Sequence, residues 1–257
     1  MSSKGIAFVT GAAQGIGRGI ALRLAEDGFD VAVNDIPGNS AKLDTVVAEI
    51  KQKGRESSAH LADVSEDENV KSMIEEVVKK HGGLDVMVAN AGVPGPYRAQ
   101  LTEVSVEQWD QVMNVNARGC FLCYKYAGLQ MIKQGRGGRI IGASSIAGKK
   151  GFPLQGPYSA SKFAIRGLTQ AAASELGAHG ITVNAYSPGA VETAMLTGAT
   201  TNPQHAAALI NKFKEMSPLK LVGTPEDIAN LVSFLASKES QFITGQSISI
   251  NGGLFFD

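Results

Sequence analysis

The sequence predicts an α/β fold: a doubly wound parallel sheet of about seven strands with helices on both faces, built as one domain over residues 1–257. Three observations predict it. Short β-type runs alternate with helical stretches along most of the chain. The runs are nearly continuous in apolar residues, as strands covered on both faces must be. No linker rich in Pro, Gly or Ser, no repeat and no charge block divides the chain.

The elements follow in order. Ile6–Val9 is an apolar strand ending at Thr10-Gly11. Ile16, Ile20, Ala21 and Leu24 recur at helical spacing up to Asp27, and Gly28 closes that helix. Val31–Val33 is the next strand, followed by a turn at Pro37-Gly38. Ser40–Lys53 is helical and stops at Gly54. Ser58–Val64 is a third strand. Ser65–His81 is a helix, with Ser65 as N-cap and Glu68 three residues on as a capping box. Leu84–Ala89 is a strand, Ser105–Gln134 one long helix, Arg139–Ala143 a strand and Tyr158–His179 a helix. Thr182–Tyr186 and Gln246–Ile250 are the last strands. The rhythm breaks between Ala190 and Lys220, where only Gln204–Met216 is firmly helical. A stretch of this length reads as a lid, with a plain surface excursion as the alternative.

Composition narrows the function. Lys+Arg and Asp+Glu are both 24, giving zero net charge, so neither nucleic acid nor an anionic membrane is an expected partner. No run approaches the roughly 18 apolar residues of a membrane span. Met1–Gly5 leads into a strand with no signal-peptide apolar region. Two cysteines suit a reducing compartment, so the expected location is cytoplasmic.

Gly11-Ala12-Ala13-Gln14-Gly15-Ile16-Gly17 joins the first strand to the first helix. Glycines at a strand–turn–helix junction let the backbone approach a pyrophosphate, which the helix N-terminus and its unpaired N–H groups attract. This is a dinucleotide cradle on a Rossmann-type fold. Asp35 closes the second strand. Its carboxylate can accept hydrogen bonds from the ribose hydroxyls of NAD and would repel a 2′-phosphate. On this charge argument NAD(H) is expected over NADP(H). A turn-forming carboxylate beside Pro37-Gly38 is the other reading of Asp35.

The spacing G-x-x-x-G-x-G after Thr10 resembles the short-chain dehydrogenase/reductase family, and the resemblance runs from Thr10 to Gly253. It implies cofactor contacts from Gly11, Gln14, Gly15, Ile16 and Gly17. Asp63-Val64 would lie at the adenine and Asn90-Ala91-Gly92 beside the adenosine ribose. Pro188-Gly189, Val191 and Thr193 would meet the nicotinamide carboxamide. Tyr158-Ser159-Ala160-Ser161-Lys162 resembles the family's Y-x-x-x-K, whose i, i+4 spacing puts phenol and ammonium on one helix face. A nearby cation lowers a phenol's pKa, so Lys162 is expected to bring Tyr158 towards neutral pH as the general acid/base. Lys162 would also bind the nicotinamide ribose. Ser145, chosen over Ser144, would hold the substrate carbonyl oxygen. Asn116, chosen over Asn114, resembles the family asparagine that supports a water relay.

Flanking segments, among them Phe163–Gln170 and Thr244–Ser247, resemble the diacetyl/acetoin reductases, also called 2,3-butanediol dehydrogenases. Ile146 and Phe152 would give an apolar wall beside Ser145 and Tyr158, disfavouring polyhydroxylated sugars. Tyr97, Met195 and Leu196 are further wall or lid candidates. The expected activity interconverts a secondary alcohol and a ketone, a small vicinal diketone or hydroxyketone above all. The alternatives are a bulky or aryl ketone, a sugar-alcohol, steroid or acyl-carrier substrate, or a non-catalytic dinucleotide sensor. The family resemblance implies a homotetramer, with the helices from Ser105 and Tyr158 in one interface. Leu254–Phe256 is expected to dock against a neighbour or the core. Cys120 and Cys123 read as packing thiols. The four histidines read as scattered, so no metal site is expected. Lys149-Lys150 reads as a solvated spot and Trp109 as a packing anchor.

Overall fold

The described residues include seven strands: β1 (Ile6–Thr10), β2 (Asp30–Asp35), β3 (Ser57–Leu61), β4 (Val86–Ala89), β5 (Gly138–Ala143), β6 (Ile181–Pro188) and β7 (Ser247–Ile250). In the computed structural model, which describes residues 2–96, 99–198 and 202–257, they form one sheet in the order β3-β2-β1-β4-β5-β6-β7. Every pairing is parallel. The fold is therefore the single-domain, doubly wound Rossmann-type sheet read from the alternation. Tyr97 and part of the expected lid, residues 199–201, lie outside the described residues.

Two apolar layers cover the sheet. On one face lie α1 (Gly15–Glu26), α2 (Ser40–Gln52) and α9 (Pro225–Ala236), which bury Ile20, Leu24, Leu43, Ile50, Ile228 and Val232. On the other lie α3 (Asp67–His81), α5 (Gly119–Gln134) and α6 (Gly156–Leu176), which bury Val70, Val77, Leu122, Met131 and Ile165. Strand order reverses between β1 and β4, so the crevice above their C-terminal ends is where such a sheet binds its ligand.

Several local expectations need correction. The long helix from Ser105 is interrupted: α4 (Val106–Val112) passes into a π-helical turn, Met113–Arg118, before α5. Ser65 does not cap α3. Its N–H and hydroxyl both donate to Asp63 Oδ1, at 2.9 and 2.8 Å, which places Ser65 in a local turn ahead of the helix, and Glu66 is the N-cap. β3 stops at Leu61, before Asp63-Val64. Trp109 is 37% exposed, because α4 buries only Val112.

The sequence reading left residues 221–245 unassigned, yet they contain α9. Its signal was present: Thr224 and Asp227 form a capping box around Pro225 at the first helical position. The irregular stretch contains α7 (Ala194–Thr197) and α8 (Pro203–Met216). No residue of α8 is fully buried; Ala206, Leu209, Ile210 and Phe213, spaced along one face, are half-covered. Among the described residues no helix is long and apolar enough to cross a membrane.

Candidate active site

Close contacts at Gly11 and Gly17, and positive φ at Gly11 and Gly15, shape the glycine loop. Gly11 and Gly15 have φ of +62° and +56°, and a Cβ on Gly11 would lie 2.8 Å from the Ala91 Cα. A Cβ on Gly17 would lie 2.2 Å from the Gly11 carbonyl oxygen, so α1 can leave β1 this closely only with glycine there. Gln14 precedes α1 in extended conformation and makes no side-chain cap bond, leaving the helix N-terminus to other acceptors. Ile16 follows inside the first turn of α1, half-buried against the core.

Asp35, at the end of β2, is buried and faces this loop. Its Oδ2 accepts the Ala13 N–H at 3.0 Å, while Oδ1 accepts the Ile36 N–H at 2.9 Å and the Asn39 side-chain amide at 2.7 Å. The carboxylate thus does the turn work and sits at the cradle as well. Asp63 is exposed beyond β3 with Oδ1 engaged by Ser65, and Val64 is buried next to Gly119, whose Cβ would meet it at 2.9 Å.

Asn90 faces the loop. Its amide donates to the Thr10 and Gly11 carbonyls at 2.8 and 3.1 Å, and its Oδ1 accepts the Tyr186 hydroxyl at 2.8 Å. Thr10 Oγ1 accepts the Asn90 and Ala91 N–H groups at 3.0 and 3.1 Å. Sequence reasoning missed Thr10 and Tyr186 as braces of the cradle. The available signal was a tyrosine on a buried strand, whose hydroxyl needs a partner.

The catalytic candidates converge on the next strand ends. Tyr158 and Lys162 lie one turn apart on α6. Lys162 is buried; its Nζ donates to the Ala143 carbonyl at 2.8 Å and stands 5.4 Å from the Tyr158 ring centroid. A Cβ on Gly92 would come within 3.4 Å of that Nζ and 3.1 Å of Asn116 Oδ1, so the N-A-G turn lies tight against both side chains.

Asn116 sits in the π turn and is fully buried. It accepts the Val93 N–H at 2.8 Å and donates to the Val93 carbonyl and Ser161 Oγ at 2.9 and 3.1 Å. Asn114 is exposed. Ser145 ends the extended stretch after β5, and its Oγ accepts the Ala147 N–H at 3.1 Å. Ser144 instead donates to the Lys162 carbonyl at 3.1 Å, inside the protein.

The electrostatics differ from the expectation that Lys162 lowers the Tyr158 pKa. Burial raises the Tyr158 phenol, and the opposing pull comes from its hydrogen bond with Ser145. The ammonium lies over the ring and bonds a carbonyl, and burial lowers Lys162 itself to about 8.

On the far side of the crevice, Pro188 ends β6 and the Gly189 N–H donates to Ile250 at 3.0 Å. Val191 bridges to Gly223, and the Thr193 hydroxyl donates to the Val191 carbonyl at 3.3 Å. A Cβ on Gly15 would lie 3.5 Å from Thr193 Cγ2, so this segment closes over the glycine loop. Ile146 and Phe152 are half-buried on the β5–α6 connection; Met195 and Leu196 lie on α7. The same connection contains Leu154, exposed and held at φ +66°, a strained geometry for a non-glycine residue that no local motif announces.

Other expectations also change. Lys149 is not solvated: its side chain is 3% exposed and pairs with Asp257. Leu254 packs on Gly189 while Phe256 is 79% exposed, so the apolar end docks only in part. His60 and His81 are brought together through Ser58 Oγ, at 2.9 and 2.8 Å, and burial lowers both imidazoles. Cys120 and Cys123 are buried in α5, and burial pushes the Cys120 thiol up to about 12 and Cys123 higher. Thiols so far from ionisation pack rather than react. Among the described residues no three His, Cys, Asp or Glu side chains come together as a metal site.

Residues 11–255 match the family described as enoyl-(acyl carrier protein) reductase. The chain is similar to a short-chain dehydrogenase/reductase of Armillaria gallica, 52% identical over 98% of this chain and 96% of the relative. It is similar to the 3-oxoacyl-(acyl-carrier-protein) reductase FabG of Staphylococcus epidermidis, 45% identical over 97% of this chain and 98% of the relative. Among solved structures, the acetoin dehydrogenase YohF of Salmonella typhimurium matches with a TM-score of 0.86 at 32% identity, over 99% of this chain and 96% of that one.

Proposed function

Because this chain belongs to the short-chain dehydrogenase/reductase family, and is an oxidoreductase of a carbonyl/alcohol pair, we propose that it uses NAD(H) to interconvert a small vicinal diketone and its hydroxyketone. The observation that carries the reading is the convergence of Ser145, Tyr158, Lys162 and Asn116 at one end of the sheet, beside the glycine cradle. The residues present fit a dinucleotide. The backbone at Gly11 and Gly17 has no room for a side chain, the helix end is uncapped, and Asp35 is aimed at the loop.

The cofactor supplies hydride transfer. Gly11, Gln14, Gly15, Ile16 and Gly17 would bind its pyrophosphate and Asp35 its ribose hydroxyls. Asp63, Val64, Ala91 and Gly92 would flank the adenosine. Lys162 would bind the second ribose, and Pro188, Gly189, Val191 and Thr193 the carboxamide. Ser145 donates a hydrogen bond to the carbonyl oxygen as negative charge develops there. Tyr158 gives that oxygen its proton in reduction and takes it back in oxidation. Asn116 holds the turn at Val93 against Ser161 of α6.

Ile146 and Phe152 supply an apolar wall, and α7 with α8 forms the lid, its half-covered face turned to the protein. Likeness to an acetoin dehydrogenase supports the diketone reading. Likeness to a 3-oxoacyl reductase favours a second one, a 3-oxoacyl chain on a carrier. A cytoplasmic, reducing setting suits the two free thiols.

Initial rates with NADH and NADPH test this against diacetyl, acetoin, an aryl ketone, a ketose and a 3-oxoacyl thioester. The expected result is NADH-driven turnover of diacetyl, with Tyr158→Phe losing about 10²–10⁴-fold in kcat while still binding NADH. Asp35→Ser is expected to narrow the preference for NADH. Turnover of the thioester without the diketone overturns the substrate assignment. NADH binding without turnover of any carbonyl favours a sensor.

A further inference from the structure

The segment after β7, Asn251–Asp257, touches three separate walls of the site. At the end of α8, Ser217 Oγ donates to the Gly252 carbonyl at 2.8 Å. Leu254 packs on Gly189, where a Cβ would lie 3.1 Å from its Cδ1. The Asp257 carboxylate accepts the Ser249 hydroxyl at 2.8 Å and pairs with Lys149. Lys149 closes the turn that begins at Ser145, its N–H donating to the Ile146 carbonyl at 3.0 Å. The hydrogen bond from Lys149 first, and that from Ser249 after it, hold this carboxyl below its ordinary value, and Arg166, one turn beyond Lys162 on α6, adds a smaller positive potential. A lysine side chain so withdrawn from water is costly without its counter-charge.

We propose that Asp257 is a positioning residue for the reaction: through Lys149 it fixes the turn Ser145–Gly148 and thereby the aim of the Ser145 hydroxyl. The segment acts as a strap across the site, and this role rests on the carbonyl activity proposed above. Loosening the strap shifts Ser145 relative to Tyr158, so it weakens transition-state stabilisation. Cofactor affinity is spared when only the Asp257 end is released, because Ser217 still holds Gly252, Leu254 stays on Gly189, and the glycine loop is braced separately by Thr10 and Asn90.

The experiment compares Asp257→Asn, Lys149→Gln and the conservative Asp257→Glu in the full chain. The expected kinetics are a roughly tenfold fall in kcat for Asp257→Asn and Lys149→Gln, an unchanged KM for NADH, and recovery in Asp257→Glu. Hydrogen exchange supplies a readout independent of turnover. Amides 147–150 should exchange about tenfold faster in Asp257→Asn, and those of 11–17 at the native rate. Native exchange at 147–150 together with native kcat overturns the proposal. So does a kcat loss matched by lost NADH affinity and a lower Tm, which would mark a general structural role. If the unmodified protein turns over no carbonyl, the activity reading fails while the exchange comparison still decides the strap.

Discussion

Lys162 shows what the site costs the fold. The displacement of its ammonium from 10.5 to about 8 by burial corresponds to roughly 3 kcal/mol of unfavourable desolvation. The sign follows from proton binding. Between pH 8 and 10.5 the unfolded chain holds the proton that the folded one releases, so this group's penalty is full below pH 8 and fades as pH rises to 10.5. Lys162→Met removes the buried charge and leaves the Ala143 carbonyl unpaired, an offset of about 1 kcal/mol. The variant should therefore be more stable by about 1–2 kcal/mol at pH 7, with the advantage shrinking by pH 10. Denaturant titration at both values checks it; a less stable variant at pH 7 would refute the account. The spacing Tyr158 to Lys162 was readable as one helix face. That the phenol rises with burial was not, because desolvation depends on what the rest of the chain packs around it. Lys149 looked solvated for the same reason: its partner is 108 residues away.

At the scale of elements, the π turn Met113–Arg118 is the informative departure from regularity. A widened turn inside a helix sets Asn116 inward, where three hydrogen bonds tie the β4 exit at Val93 to Ser161 on α6. Asn116→Ala would leave the Val93 N–H and carbonyl without those partners. It should cost about 2–4 kcal/mol, read as a depressed Tm, together with a marked loss of kcat. An unchanged Tm would mean that the turn is held by packing alone. The type of element was legible wherever periodicity was strong, as in α1 and α3. The π turn was invisible because a shift of phase confined to Met113–Arg118 is too short to stand out against the helical pattern on either side. Ser65 is not the cap because it turns back on Asp63, to which its N–H and hydroxyl both donate, and α3 begins only at Asp67. The capping box at Thr224 was legible in principle and marks α9, which packs against α1.

For the whole molecule, strand alternation was enough to indicate the doubly wound sheet, and the glycine loop indicated which end of it binds. Assembly is the property least visible in one chain. Val106, Trp109, Phe121, Leu129, Ile132 and Phe163 leave apolar surface exposed on α4, α5 and α6. We infer that this surface is covered in a homotetramer. Light scattering at micromolar concentration should give four copies for the unmodified protein and a smaller assembly for Phe121→Asp combined with Phe163→Asp; an unchanged mass would place the interface elsewhere. The brace from Tyr186 through Asn90 to Gly11 has a consequence for biosynthesis. A ribosome releases the phosphate-binding loop and Asn90 first, but the Tyr186 hydroxyl can anchor Asn90 only after residue 186 has left the exit tunnel. Nascent chains shorter than this carry the nucleotide signature with its brace incomplete, so the loop reaches its final form late in the making of each molecule.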